Sequence, residues 1–237
     1  MAHPLSRALE RFGPLPEAER RAVERAGLAV TRIEADRDLV RAGGWHPHVA
    51  LLVEGFAWRG KVLGDGRRQI TAFHVPGDLC DPAGLHLERL DQGTRTLTPV
   101  RAVPIPRATV LAWMRRHPRL REALWRAALV DSEISRDWVL NARRTAHART
   151  AHLLCEMMVR LRAAGLVEGP RCAWPLGLVD VADALGLTPV HARRVLWRLR
   201  ADGLAEVGDG ILLVRDWEGL RWAGGFDAGY LHGADAA

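Results

Sequence analysis

Val190, Arg193, Arg194 and Trp197 recur at steps of three, one and three, so on a helix they share one face, with His191 at its shoulder. A guanidinium carries a planar fork of donors that matches the acceptor edge of guanine, and a valine can pack on a thymine methyl. The chemistry these residues could do is base readout in a DNA major groove. The residues around them must then build a helix and hold it proud of the surface.

The stretch from residue 178 to residue 197, LVDVADALGLTPVHARRVLW, has that design. Val181, Ala182 and Leu185 make the inner face of a first helix; Ala192, Val195, Leu196 and Leu199 make the inner face of a second. Gly186 supplies the corner between them, where positive φ is needed. Thr188 caps the second helix and Pro189 takes its first position, where a missing N–H costs nothing. The expected DNA-contacting set is Thr188, Val190, His191, Arg193, Arg194 and Trp197. An amphipathic helical hairpin with a solvated basic face would show part of this pattern, but not the agreement of period, turn, cap and charge.

Ala205 to Val214 reads as two short apolar strands joined at Gly208, Asp209 and Gly210, a strong hairpin signal. A hairpin directly after a recognition helix is the wing of a winged helix-turn-helix. Its tip bears no positive charge, so a phosphate contact there would use the glycine N–H groups.

The 237 residues are 48% apolar and 26% charged, enough for about two domains with ordinary cores. The formal charge of +6 suits a polyanionic partner, although Lys61 is the single lysine among 34 basic side chains, a bias of the kind GC-rich coding imposes whatever the function. Cys80, Cys155 and Cys172 are far apart and no CxxC pair occurs, which argues against cysteine-built zinc or iron–sulfur sites. With no apolar leader and no membrane-length run, a cytoplasmic protein with reduced thiols is expected. No Ser/His/Asp triad, phosphate loop or paired-acid constellation points to an enzyme.

Residues 5–26 predict short helices broken at Pro14 and Pro16. From Leu28 to about Pro106, brief apolar runs punctuated by turns, including Gly64-Asp65-Gly66, predict a small antiparallel roll or barrel. A helical texture resumes at Arg107, with a break at Pro118. Leu120, Leu124, Ala127, Asp131, Ile134, Trp138 and Asn141 then alternate at steps of four and three, the seam of a helix pair, so they are the expected dimerisation residues. A helix packed on its own β-domain would carry the same stripe, though Asp131 and Asn141 favour a specific two-stranded register. Arg143, Arg144 and Arg149 cluster at the start of the next helix, open to phosphates or to solvent. The predicted fold class is α+β: residues 1–116 an N-terminal antiparallel β-roll with leading helices, 117–144 a dimerisation helix, and 145–237 a C-terminal winged helix-turn-helix.

That order of parts resembles the Crp/Fnr superfamily of bacterial transcription regulators over nearly the whole chain. HVPGDL at residues 74–79 and VADALGLTPVHARRVLWRLRADGL at 181–204 carry the resemblance. It implies a homodimer on partly palindromic double-stranded DNA, recognition helices about 34 Å apart, contact with RNA polymerase, and no membrane partner. Family members place a glutamate where this chain has Val190, so their cytosine contact is lost; Arg194 matches the family's base-reading arginine.

In cyclic-nucleotide-binding relatives, the turn after the Gly-Asp pair carries a ribose-holding glutamate, and an arginine further on neutralises the phosphate. After Gly77 and Asp78 this chain has Pro82 at the glutamate position. Arg95, the nearest candidate clamp, sits in an unmatched context, GTRTLTP. These departures argue against a cyclic nucleotide, and the effector, if there is one, is unknown. His46, His48, His74, His86 and Cys80 offer metal or haem donors, but only His46-Pro47-His48 is spaced to converge. A metal- or haem-containing sensor of the same fold is the alternative reading. A third is a cupin-like metalloenzyme using His46, His48 and Glu54; its spacing is one residue too long and it leaves the winged helix unexplained. The expectation for metal is none.

Overall fold

The computed structural model describes residues 3–232. Contacts divide the chain into two compact units, one running to Lys61 and then from Phe73 to Ser132, the other made of Val62–Ala72 and the residues from Glu133 onward. Where the sequence suggested boundaries near 116 and 144, the division falls inside the long helix.

The first unit opens with α1 (Pro4–Glu10) and α2 (Glu17–Arg25), followed by β1 (Thr31–Ile33), β2 (Asp38–Val40), β3 (His48–Glu54) and β4 (Ala57–Val62). After β5 (Arg68–His74) and β6 (Leu79–Cys80) come a 3₁₀ turn over Pro82–Leu85, β7 (Gly93–Thr96) and β8 (Val100–Pro106). The strands form two four-stranded sheets, ordered β1-β8-β3-β6 and β2-β7-β4-β5, the antiparallel roll the turn-punctuated texture predicts. β3 explains how the layers meet. Its HVALLVE run is apolar on both faces because both are covered: Val49 and Leu51 join one cluster with Leu5, Val23, Trp113 and Leu120, while Ala50 and Leu52 join another with Cys80 and Val100. Burying Leu51 to 1% exposure makes its truncation to alanine worth about 2 to 5 kcal/mol.

The helices α3 (Arg107–Arg116) and α4 (Pro118–Asn141) part at His117, where Pro118 restricts the preceding residue to an extended conformation. The stripe expected to form a dimer seam is covered largely from within the chain. Leu120 and Leu124 are buried and Ala127 packs on the same cluster as β3 and β8, Asp131 is hydrogen-bonded to Arg59, Ile134 is buried, and Trp138 donates to Glu156. Asn141 donates its amide to the Arg149 carbonyl. Steps of four and three report that one helical face is covered; they do not report by what. The opposite row of α4 is the exposed one, with Trp125, Leu129, Val139 and Leu140 presenting apolar surface to solvent.

The second unit is built around α5 (Ala146–Ala163), buried without a break from Thr150 to Leu161. Around it lie β9 (Val167–Glu168), β10 (Arg171–Ala173), α6 (Leu178–Leu185), α7 (Pro189–Ala201), β11 (Ala205–Gly208), β12 (Ile211–Val214), α8 (Trp217–Gly224) and a 3₁₀ turn over Ala228–Leu231. One sheet, ordered β11-β12-β10-β9, closes the unit. Among the described residues no helix is long and apolar enough to cross a membrane.

Candidate nucleic-acid interface

α6 and α7 form the predicted helix-turn-helix. Gly186 ends α6 in the left-handed region at φ +60°, where a side chain would cost energy. The Thr188 hydroxyl accepts from the His191 N–H at 3.2 Å, and Pro189 stands at the first helical position. Val181, Ala182, Leu185, Ala192, Val195 and Leu199 are all buried, so the inner faces are those the apolar spacing assigns; Leu196 is half-buried.

The outer face of α7 is what this packing leaves in solvent. Val190 is 69% exposed and Trp197 74%, and with Arg193, Arg194, Arg198 and Ala201 they line a shallow groove of about 420 Å³ along the helix. The arginines of this region divide by partner. Arg198 is held by Asp202 at 3.0 Å, and Arg200 and Arg215 share Glu206 at 3.2 and 2.7 Å. Arg193 and Arg194 have no ion-pair partner among the described residues, so their donors are available to a ligand. Of the six sequence-assigned residues, the groove gathers Val190, Arg193, Arg194 and Trp197. Thr188 is committed to its cap, and exposed His191 lies outside the groove.

β11 and β12 pair from Ala205↔Val214 to Gly208↔Ile211, with Asp209 and Gly210 both at positive φ in the turn, the two-residue geometry whose twist matches that of a hairpin. The tip is exposed and carries no basic side chain. Arg143, left open between phosphate and solvent, is exposed, whereas Arg144 donates to the Asn141 side chain at 3.2 Å and the Gly225 carbonyl at 3.3 Å.

Two supporting arrangements go beyond what the sequence analysis assigns. Arg68, the first residue of β5, donates to Asp180 at 2.6 Å and Asp183 at 2.7 Å of α6, and Gln69 donates to the Asp183 carbonyl at 2.9 Å. Periodicity cannot find partners 112 residues apart. The other is a polar row inside α5. Fully buried Glu156 accepts from Arg160 at 2.9 Å, Trp138 at 2.9 Å and Tyr230 at 3.0 Å, and His152 lies 2.6 Å from Asp137. The spacing of His152, Glu156 and Arg160, four residues apart within an apolar helix, was the available sign. Phe226 and Tyr230 dock against His152; residues 233–237 lie outside the described residues.

The sensor-side candidates do not assemble. Arg95 is half-exposed at its side chain and donates to the Asp36 carbonyl at 2.8 Å, so it faces a surface turn. His48 and His86 are exposed while His74 is buried. Among the described residues no three His, Cys, Asp or Glu side chains converge as metal ligands.

Residues 148–222 match the family described as the Crp-like helix-turn-helix domain. The nitrogen fixation regulation protein FixK of Azorhizobium caulinodans is 29% identical over 177 residues, covering 73% of this chain and 70% of that protein. The transcriptional activatory protein AadR of Rhodopseudomonas palustris is 30% identical over 166 residues, covering 69% of this chain and 68% of its own. The solved structure of FixK2 from Bradyrhizobium japonicum superposes with a TM-score of 0.72 at 25% identity, covering 83% of this chain and 96% of that one.

Proposed function

The chain belongs to the Crp/Fnr superfamily of DNA-binding transcription regulators, and on that premise we propose that it reads a partly palindromic duplex as a cytoplasmic homodimer. The observation that carries the reading is the outer face of α7, where Arg193 and Arg194 stand without ion-pair partners between exposed Val190 and Trp197. Arg194 is assigned to a guanine edge and Val190 to a thymine methyl. The exposed row of α4, Trp125, Leu129 and Val139 at steps of four and ten, is assigned to the partner subunit. Those steps fall on one heptad seam. A two-fold pair of α7 helices would then enter successive major grooves. Relatives named as activators support activation through RNA polymerase as the mode of action.

Selection of binding sites from random duplex DNA by the purified chain, at moderate salt, tests this. The expected result is an inverted repeat with half-sites about one helical turn apart. Binding that is weak, equal on all sequences and steeply salt-dependent would reduce α7 to a phosphate contact, and no binding at any salt would overturn the regulator reading.

A further inference from the structure

Inside the first unit, one buried guanidinium joins three elements. Arg59 of β4, 11% exposed at its side chain, donates from Nη1 to Asp131 of α4 at 2.7 Å and reaches Asp81 at 3.4 Å. Thr94 of β7 donates its hydroxyl to the other carboxylate oxygen of Asp81. Asp81 sits at φ +50°, a left-handed conformation that aspartate adopts more readily than most non-glycine residues. Burial works against the Arg59 charge, but Asp131 and Asp81 outweigh it and hold its pKa above the ordinary guanidinium value.

The location gives this cluster its meaning. Asp81 stands just past β6, beyond the turn at Gly77 and Asp78, next to Pro82, which the family resemblance sets at the position of the ribose-holding glutamate; this aspartate is committed to an arginine of the same chain. A buried ion pair is a poor source of net stability, yet removing one partner leaves an uncompensated charge that the structure must move to relieve. The element best placed to move is α4, which carries the exposed row assigned to dimerisation.

We propose that Arg59 is a positioning residue that does within the chain what a bound effector does elsewhere, pinning α4 to the roll so that the protein binds DNA with no small molecule present. The inference rests on the DNA-regulator reading above. Its test uses the full chain, the duplex enriched by selection, and no added ligand. DNA affinity and thermal midpoint are measured for wild type, Arg59→Met, Arg59→Lys, Asp131→Asn and the triple variant Arg59→Met/Asp81→Asn/Asp131→Leu.

Arg59→Met and Asp131→Asn are expected to lose affinity by about tenfold or more, as for a broken buried pair, while remaining folded at the assay temperature. Arg59→Lys, which keeps the charge, is expected to recover most of the loss. Should Arg59→Met unfold, the triple variant, which removes all three charges, carries the comparison; it is expected to fold and still bind weakly. Specific binding by wild type with all folded variants within about twofold overturns the latch and leaves the regulator reading standing. A wild-type protein that binds specific DNA only after a small molecule is added also overturns the latch. Absence of DNA binding under every condition overturns both.

Discussion

Acidic neighbours decide which arginines in and beside α7 are left open to a ligand. Asp202 and Glu206 hold Arg198, Arg200 and Arg215, leaving Arg193 and Arg194 without an ion-pair partner among the described residues. Arg194→Ala is expected to cost about 1 to 3 kcal/mol on the selected duplex and to relax preference at one base pair per half-site. A uniform loss across scrambled duplexes in the same titration would assign Arg194 to the backbone instead. These residues were legible in the sequence because a reading face is a local pattern: Gly186, Thr188 and the 3.6-residue period place Val190, Arg193, Arg194 and Trp197 with no knowledge of the rest. The Arg59 cluster was not, since Arg59 and Asp131 stand 72 positions apart and only the closed roll brings them together. A second prediction belongs to the buried imidazoles. Desolvation is the largest influence on His74 and His152 and lowers both below the ordinary value of 6.5, against opposing nearby carboxylates. A group whose folded pKa is depressed takes up its proton more readily when unfolded. The stability it confers is therefore complete above 6.5 and drains away as pH falls from 6.5 toward the folded value. His152→Gln should flatten the acid limb of a stability–pH curve measured by urea unfolding; an unchanged slope would place the titration elsewhere.

Among the elements, α4 and α5 show what periodicity can and cannot say. The stripe on α4 predicts a covered face, and the cluster around Leu120 and Leu124 supplies most of that cover from within the chain; an intrachain core and a partner helix leave the same spacing. Strand β3 was easier: a continuous apolar run bounded by turns, buried on both faces, with odd and even residues feeding different clusters. The pair β9 and β10 passed unseen because strands of two and three residues are too short to show alternation. α8 meets α5 where Gly224 lies so close that an added Cβ would stand 2.7 Å from the His152 backbone nitrogen. Backbone cannot yield as a flexible side chain does. Gly224→Ala is expected to lower unfolding free energy by about 1 to 3 kcal/mol, seen as a reduced urea midpoint at unchanged m-value. A neutral result would mean the two helices part without cost.

At the scale of the whole molecule, the proposed homodimer would dominate DNA affinity, because in such a dimer each half-site contact becomes intramolecular once its twin is made. Leu129→Asp sets a charge on the exposed row of α4 without touching the buried one. It is expected to move the protein from dimer to monomer in sedimentation equilibrium and to cost tenfold or more in affinity for a two-half-site duplex, roughly the scale of lost avidity. A dimer that survives the change would put the partner on another surface. The three cysteines carry a consequence of a different kind. All are free and buried, with Cys80 in the first unit and Cys155 and Cys172 in the second. Burial holds the Cys80 thiol well above its ordinary pKa and pushes Cys155 to about 12 and Cys172 to about 11. A sealed, protonated thiol meets an alkylating reagent only when the structure around it opens. Each half of the protein thus contains its own clock, and the labelling rate read cysteine by cysteine would time the opening of sensor-like and DNA-reading parts separately in a single unmodified chain.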